Sequence, residues 1–219
     1  MKQALGWNWP DRERHLLEWM VNPKARMGLN GRLAYQGKKQ QTAIDLVPKD
    51  KRRRAIDVGA HVGLWSWNLS FWFKDVESFE PVPEHRECWQ ANLGARENLV
   101  LHPYALGDHV DMVAIHTDAS STGDSRISGR GDVEMKMLDS FGFTEVDFIK
   151  IDCEGYEEFV LKGGVETIKE WKPVIVVEQK RDMALRFDLK TLGAVTFLRK
   201  LGYETVKEIS GDYFMRYTG

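Results

Sequence analysis

The residues best suited to catalysis lie in the segment 147–155, which reads DFIKIDCEG. Period-two alternation along a strand places Lys150 and Asp152 on the same side, at the carboxyl end where open α/β sheets bind ligands. Asp152 and Glu154, with the Lys150 amine nearby, can orient a nucleophile, accept its proton or hold a cation. In the alternative interpretation Lys150 pairs with one acid and Glu154 caps the following helix. The next strand ends at Glu178, which either joins this site or faces solvent.

A second constellation, residues 57–63, suits a nucleoside ligand. The strand AIDV runs into Gly-x-x-x-Gly and a helix, so that backbone can approach a ligand closely and free N–H groups face it. The spacing differs from the Gly-x-Gly-x-x-Gly of dinucleotide-binding proteins, and Asp57 would repel a pyrophosphate. Glu80 follows the next strand and can accept both hydroxyl hydrogens of a ribose. The loop alone fits a tight turn equally well, but together with Glu80 it favours nucleoside binding.

Charge and cysteine content exclude several classes of protein. The 219 residues include 31 Lys and Arg against 33 Asp and Glu, which excludes a nucleic-acid binder acting through bulk positive charge. The basic run 49–54 is interpreted as a solvated loop before a buried strand, with a patch facing nucleic acid as the alternative. Cys88 and Cys153 indicate a reducing, cytoplasmic compartment and supply no zinc-site spacing, whereas the acids near Asp152 leave Mg²⁺ open. No stretch approaches the roughly 18 apolar residues of a membrane helix, and the amino terminus lacks a signal-peptide core.

Alternating strands and helices must bring these residues together. The strands are expected at residues 55–58, 76–79, 99–101, 110–116, 133–137, 146–151, 173–177, 204–209 and 213–217. The helices are expected at 10–22, 38–46, 62–73, 84–97 and 156–171, followed by one with the apolar face Leu192, Val195, Leu198 and Leu201. The pair 110–116 and 133–137 is expected to form an added hairpin around a polar loop, 120–132. A turn at Gly211-Asp212 joins the last two strands, so the pattern predicts a mixed α/β sheet covered on both faces.

Five segments in order, AIDVGAHVGLWS, FEPVPEHRECWQANL, YALGD, MLDSFGFTEVDFIKIDCEGYEEFVLKGG and KPVIVVEQ, resemble the FkbM family of S-adenosylmethionine-dependent methyltransferases. The resemblance covers residues 35–219 and is most specific over 138–178. It implies the Rossmann-like class I methyltransferase fold, in which a seven-stranded mixed sheet ends in an antiparallel hairpin. Residues 1–34 lie outside this methyltransferase domain and are expected to form a helical and loop extension, a candidate lid. This extension resembles that of phage-encoded relatives.

The resemblance assigns the glycine loop to the cofactor. It implies that Asp57, Gly59 and Gly63 line the methionine and ribose side of S-adenosylmethionine. Ala60 and His61, from the same loop, are included among the binding residues. His61 stands where many members carry Asn. Both residue types can form hydrogen bonds, but His adds a titratable ring.

The remaining implied contacts come from three other segments. Glu80 would hold the ribose hydroxyls, and Leu106 and Asp108, in the turn after the third strand, would lie near the adenine. Tyr35 matches the first residue of the family's Tyr-Glu pair, which contacts the amino-acid end of the cofactor. Gln36 replaces the acid of that pair.

The function implied by the resemblance is O-methylation of a small molecule or sugar. Asp152, beside the sulfonium and the incoming acceptor, is the first candidate to accept the hydroxyl proton. Lys150 and Glu154 are its expected orienting partners, and Glu178 is the last candidate. One alternative is methylation of an amine or of RNA ribose, which the basic run 49–54 would favour. Another is a non-catalytic S-adenosylmethionine-binding module that contacts a partner through its Trp-rich amino terminus.

Overall fold

A computed structural model describes residues 1–21, 36–117, 121–180 and 182–219 of the chain. In these ranges the strands are β1 (Lys2–Ala4), β2 (Trp7–Trp9), β3 (Arg54–Val58), β4 (Asp75–Phe79), β5 (Leu99–His102), β6 (Ala105–Leu106), β7 (Asp111–His116), β8 (Arg126–Arg130), β9 (Val133–Lys136), β10 (Val146–Ile151), β11 (Val174–Glu178), β12 (Tyr203–Ile209) and β13 (Asp212–Tyr217). The helices are α1 (His15–Val21), α2 (Gly37–Leu46), α3 (Leu64–Leu69), α4 (Pro83–Leu93), α5 (Glu157–Gly163), α6 (Val165–Trp171) and α7 (Gly193–Lys200). In the described part of the chain, no helix has the length and apolar character needed to cross a membrane.

Seven strands form the main sheet in the order β12-β13-β11-β10-β3-β4-β5. The strands from β11 to β5 pair in parallel, and β13 pairs antiparallel with both β11 and β12. This confirms the predicted mixed sheet with its carboxyl-terminal hairpin. The hairpin turn lies at Ser210-Gly211, where both φ angles are positive, rather than at Gly211-Asp212 as predicted, because Asp212 already pairs with Glu178.

The apolar core occupies both faces of this sheet. Alternation along β10 sends Phe148 into the layer beneath α3 and α4, where its ring packs against those of Trp65 and Phe73. It sends Ile149 into the opposite layer, which also contains Leu198 of α7. Every residue of β10 and β11 is buried, as expected for central strands of a parallel sheet. The main-sheet strands lie within one residue of their predicted bounds, because continuous apolar runs mark them clearly.

The first residues form a hairpin that sequence analysis missed. The predicted helix from Pro10 begins only at His15, and β1 and β2 pair before it, joined by Leu5 and Gly6 with positive φ. Trp7 and Trp9 alternate with a polar residue and are buried in the main core. The amino-terminal segment therefore packs against the sheet domain.

A smaller sheet of four strands, in the order β6-β9-β7-β8, stands beside the main sheet. The predicted pairing of β7 with β9 is confirmed. The loop expected over residues 120–132 was wrong, since it contains β8, which pairs antiparallel with the other edge of β7. The side chains of β8 show no apolar alternation that would predict a strand. Main-chain hydrogen bonds to β7 hold β8 in the sheet.

The helix predicted over residues 156–171 is divided at Gly164 into α5 and α6. A side chain at Gly163 would place its Cβ 1.9 Å from the carbonyl oxygen of Gly107. A side chain at Gly164 would place its Cβ 2.9 Å from Leu138 Cδ2. The two glycines thus let this helical region approach the loop after β6 and the segment before β10, and that approach separates the helices.

Candidate functional site

Two adjoining cavities open at the carboxyl ends of β3, β4 and β10. The larger, here called the main cleft, has a volume of about 600 Å³, and the smaller, the side cleft, about 450 Å³. Both are lined by Gly59, His61, Gly123 and Asp152. Residues of the smaller, four-stranded sheet form one wall of the main cleft.

Seven of the predicted site residues line these cavities. They are Gly59, Ala60, His61, Glu80, Leu106, Lys150 and Asp152. The predicted residues that are described but lie outside both linings are Asp57, Gly63, Asp108, Glu154 and Glu178. Tyr35 lies outside the described residues, and its neighbour Gln36 accepts a hydrogen bond from the indole of Trp65, which lines the side cleft.

Glu80 is a buried carboxylate in the wall of the main cleft. One oxygen accepts the N–H of Val82 at 2.9 Å and lies 3.2 Å from His85 Nδ1. The other accepts the N–H of His61 at 2.7 Å. Burial alone would raise the pKa of Glu80, but His85 and the two backbone donors outweigh it and hold the pKa below its usual range. Glu80 is therefore ionised and joins the turns that follow β3 and β4.

The two loop glycines serve contacts between chain segments. Gly59 has a φ of +77°, and a Cβ there would lie 2.0 Å from the carbonyl oxygen of Asp152. Gly63 has a φ of +97°, and its Cβ would lie 2.4 Å from Leu93 Cδ1 on α4. Only glycine fits such positions. Gly59 thus lets the loop reach the segment that carries Asp152, and Gly63 makes room for Leu93 on α4. The contact of Gly63 with the cofactor stays a prediction.

Asp57 holds Lys150 rather than lining a cavity. Its side chain is fully buried, accepts the Ser66 hydroxyl at 2.6 Å and lies 3.6 Å from Lys150 Nζ. The same ammonium donates to the carbonyl of Gly59 at 3.2 Å and lies 3.5 Å from Asp152 Oδ2. Burial raises the pKa of Asp57 and Lys150 opposes this shift. The ion-pair interpretation of Lys150 is confirmed, with Lys150 between two carboxylates.

His61 sits between the main cleft and the side cleft in left-handed backbone geometry, with a φ of +50°. Its ring packs edge-to-face on His85, with centroids 4.3 Å apart, and its Nε2 lies 2.8 Å from Thr122 Oγ1. Burial lowers the pKa of His61 well below its usual range, and His85 and Lys150 lower it further. The ring is therefore neutral at physiological pH.

Glu13, which sequence analysis did not select, fixes the protonation pattern of His61. This fully buried side chain accepts the hydroxyl of Thr122 and also its N–H, at 2.9 Å. Its second oxygen accepts the N–H of Leu16 at 2.7 Å and thereby caps α1. Because Thr122 has one hydroxyl hydrogen and donates it to Glu13, His61 Nε2 must donate to Thr122. The amino-terminal segment is thus connected to the cleft by hydrogen bonds.

Leu106 and Asp108 lie in different environments in the structure. Leu106 is buried in the main cleft near Tyr104 and Tyr156, where it contributes to an apolar wall. The carboxylate of Asp108 instead lies 2.7 Å from His109 Nδ1 at the surface. Leu106 lies where an adenine in the main cleft could contact it, whereas Asp108 does not line that cleft.

Three carboxylates cluster beyond the cleft, where β10 and β11 end. Asp152, Glu154 and Glu178 each offer an oxygen within 4.8 Å of the other two. Burial and the Asp152 charge raise the pKa of Glu154 to about 8 and that of Glu178 to about 10. Burial opposes ionisation of Asp152, but Lys150, a hydrogen bond from Glu178 and the charges of Lys180 and Lys39 together hold that pKa below its usual range. Asp152 is therefore the ionised member, and Glu178 joins the cluster rather than facing solvent.

The helix cap predicted for Glu154 is absent, because α5 has Tyr156 as its N-cap residue and no side-chain cap. Glu157 Oε1 accepts the N–H of Gly155 at 2.8 Å and that of Cys153 at 3.1 Å. Burial raises the pKa of Glu157 to about 7 although these donors oppose the shift. The capping interpretation of Glu154 was wrong, since no side chain caps α5, and Glu157 instead holds the turn between β10 and α5.

The basic run lies at the opposite edge of the sheet, where β3 begins. Arg53 Nη2 lies 2.6 Å from Asp147 Oδ1, and Arg54 Nε lies 3.3 Å from Glu77 Oε1. Arg52 donates to the carbonyl of Ile44 at 3.0 Å. These arginines are held by protein acceptors that anchor the amino end of the strand.

The chain matches the family model of the methyltransferase FkbM domain over residues 57–205. No curated protein matches it. Among solved structures it is similar to the methyltransferase FkbM from Methylobacillus flagellatus, with a TM-score of 0.52 and 16% identity. That likeness covers 77% of this chain and 44% of the Methylobacillus chain, so this chain spans less than half of that protein.

Two further solved structures share the fold. The precorrin 8W decarboxylase of Methanobacterium thermoautotrophicum has a TM-score of 0.50 at 15% identity, over 90% of this chain and 95% of that one. A candidate methyltransferase from Streptococcus mutans, crystallised with SAH, has a TM-score of 0.50 at 10% identity, over 81% of this chain and 93% of that one. At these identities the likenesses establish the fold alone.

Replacing Gly59 by Ala should destabilise the protein more than replacing Gly142 by Ala. Both glycines have positive φ, but a Cβ at Gly142 meets nothing within 4 Å. Gly142→Ala should cost about 1–2 kcal/mol from backbone strain. Gly59→Ala should cost about 1–3 kcal/mol more, because it also pushes against Asp152. Urea unfolding measures the free energy of unfolding of both variants. Equal losses in the two variants would contradict the close approach of Gly59 to Asp152.

Replacing Glu13 by Ala should lower the free energy of unfolding by about 1–3 kcal/mol, because it leaves the buried donors of Thr122 and Leu16 without acceptors. Glu84→Ala is the matched control, since Glu84 pairs with Arg12 at the surface and its loss should cost about 0–1 kcal/mol. Thermal unfolding of both variants provides the comparison. A Glu13 variant no less stable than the Glu84 variant would show that the buried connection is absent.

Proposed function

The chain belongs to the methyltransferase FkbM domain family, and from this premise we propose that it transfers a methyl group from S-adenosylmethionine to a hydroxyl of a small molecule or sugar. The observation that carries the proposal is the placement of Glu80 and Asp152, both ionised, in the wall of one cleft. A cofactor with a sulfonium, an ammonium and two ribose hydroxyls requires negative charge and hydrogen-bond acceptors. This pair of carboxylates supplies both.

The main cleft fits the cofactor in the polarity of its lining. Glu80 follows β4 and would hold the ribose hydroxyls through Oε2, which accepts the N–H of His61 and keeps a lone pair, whereas Val82 and His85 occupy Oε1. Leu106, Tyr156 and Ile127 offer apolar surface for an adenine. Asp152, shared by both clefts, would lie at the sulfonium. When bound, S-adenosylmethionine supplies an electrophilic methyl group.

Asp152 is the residue best placed to receive the proton of the acceptor hydroxyl. Its side chain is 25% exposed, whereas that of Glu178 is 5% exposed, so Asp152 alone of this pair faces the cavities. Its ionised state leaves a lone pair for the proton. Lys150, at 3.5 Å, fixes the carboxylate and is itself held by Asp57 and Gly59. Orientation of the acceptor and exclusion of water are then the remaining tasks of the protein.

The amino-terminal extension supports an acceptor site in the side cleft. Leu16 of α1 lines that cavity, and Glu13 ties the segment to Thr122. The proposal therefore assigns the described part of residues 1–34 to a wall of the acceptor site. The arginines at the start of β3 lend no support to RNA as the acceptor, because they are paired at the opposite edge of the sheet.

Calorimetric titration should show saturable binding of S-adenosylmethionine and S-adenosylhomocysteine but not of NAD. Glu80→Gln should weaken this binding about tenfold or more, since hydrogen bonds to a charged acceptor are worth about 1.5–3 kcal/mol. Glu84→Gln, at a half-buried position four residues further on that lies outside the linings of both clefts, serves as the control and should bind normally. Unchanged binding by the Glu80 variant, or binding of NAD alone, would contradict the proposed site.

Asp152→Asn should reduce turnover about 100-fold or more while changing cofactor affinity little, because the amide cannot accept the proton. The readout is release of S-adenosylhomocysteine with a hydroxylated acceptor identified by screening the wild-type protein. Glu208→Gln, in an exposed part of the β12–β13 hairpin, provides the control. Wild-type turnover in the Asp152 variant would overturn its assignment as the base.

A further inference from the structure

The structure carries a second site next to the cleft. We propose that Asp152, Glu154 and Glu178 together bind one divalent cation that prefers oxygen ligands, such as Mg²⁺, Mn²⁺ or Ca²⁺. The ligands come from the ends of β10 and β11. Binding of the ion does not depend on the proposed methyl transfer.

The spacing of the three carboxylates suits such an ion. One oxygen from each lies within 4.8 Å of the others. Mg²⁺ binds oxygen at about 2.0–2.1 Å and Ca²⁺ at about 2.3–2.6 Å, so oxygens on opposite sides of the ion are separated by about 4–5 Å. Asp152 borders both cavities, which leaves room for water to complete the coordination.

Glu154 is the observation that distinguishes this cluster from an ordinary group of acids. Its residue is 92% buried, with 8% of its surface exposed. Among the hydrogen bonds and ion pairs of the described chain, its carboxylate takes part in none, although its oxygen points at those of Asp152 and Glu178. A buried polar group without a partner carries a desolvation cost that a bound cation would remove.

Other buried acids at this edge have protein partners. Glu157 accepts two backbone N–H groups, Asp212 pairs with Lys39, and Asp57 accepts the Ser66 hydroxyl. Glu154 thus differs from the neighbouring acids because its carboxylate has no hydrogen-bond or ion-pair partner among the described residues.

The charge balance at this edge also favours a cation. The described acids that meet here are Asp57, Asp152, Glu154, Glu157, Glu178 and Asp212, and the described ammonium groups are Lys39, Lys150 and Lys180. The six carboxylates therefore exceed the three ammonium groups. Buried charge of one sign requires compensation by a proton or by a bound cation.

The two nearest lysines leave ligand atoms available. Lys150 faces Asp152 Oδ2 and Lys180 bonds to Glu178 Oε1. A hydrogen bond also joins the side chains of Asp152 and Glu178, and a bound cation would take the place of its proton. Both oxygens of Glu154 are open. If the proposed methyl transfer holds, an ion at Asp152 would also lower the pKa of an acceptor hydroxyl bound beside it, and this consequence alone rests on that function.

The test is calorimetric titration of the full chain, freed of metal with EDTA, by MgCl₂, MnCl₂ and CaCl₂ separately. We expect one saturable site for at least one cation, and Glu154→Gln should weaken its affinity at least tenfold. Asp108→Asn removes a surface carboxylate that pairs with His109 and should bind the cation as the wild type does. Circular dichroism of each variant checks that it is folded, and Glu178→Gln provides a second ligand variant.

Three results would overturn the proposal. The first is that none of the three cations binds saturably at concentrations of about 1 mM and above, the range of weak protein sites. The second is a cation affinity that neither Glu154→Gln nor Glu178→Gln changes. The third is a loss of cation affinity in Asp108→Asn equal to the loss in the ligand variants. S-adenosylmethionine is titrated separately into the same preparation. Cation binding without cofactor binding would then reject the proposed function and leave the cation site standing, and the reverse result would do the opposite.

Discussion

The carboxylate of Glu80 is the constraint on which the geometry of the cleft depends. Its two oxygens accept backbone N–H groups from His61 after β3 and from Val82 after β4, and His85 keeps it ionised. One side chain therefore fixes two neighbouring turns at the carboxyl edge of the sheet. The approach of Gly59 to Asp152 and the contact of His61 with Thr122 both start from the turn that Glu80 holds. The acid that would recognise a ribose is also the acid that shapes the wall around it.

Behind this wall, the strands β10 and β11 bring more carboxylates together than lysines can neutralise. Lys150 divides its charge between Asp57 and Asp152, and this keeps Asp152 ionised next to the cavities. Glu178, further from solvent, has a pKa raised to about 10 by burial and by Asp152. Chemically similar side chains at one edge thus differ in protonation because their surroundings differ.

The sequence predicted the fold well where local patterns decide it. The apolar runs of the main strands and the loop that precedes α3 identified the sheet, its order of elements and the edge that carries the cleft. Contacts between residues far apart along the chain could not be predicted from local patterns. The spacing of Gly63 marks it as part of a ligand-binding loop but does not reveal its close approach to Leu93 on α4. Glu13 and Thr122 are 109 positions apart, and no local pattern signals their hydrogen bond. Likewise β8 is held by main-chain pairing, which its polar side chains do not reveal.

The most direct test of this account is a crystal structure of the protein with S-adenosylhomocysteine. The account predicts that the ligand occupies the main cleft, with both ribose hydroxyls within hydrogen-bond distance of the Glu80 carboxylate and the sulfur beside Asp152. A ligand bound elsewhere, or one whose ribose does not contact Glu80, would contradict it.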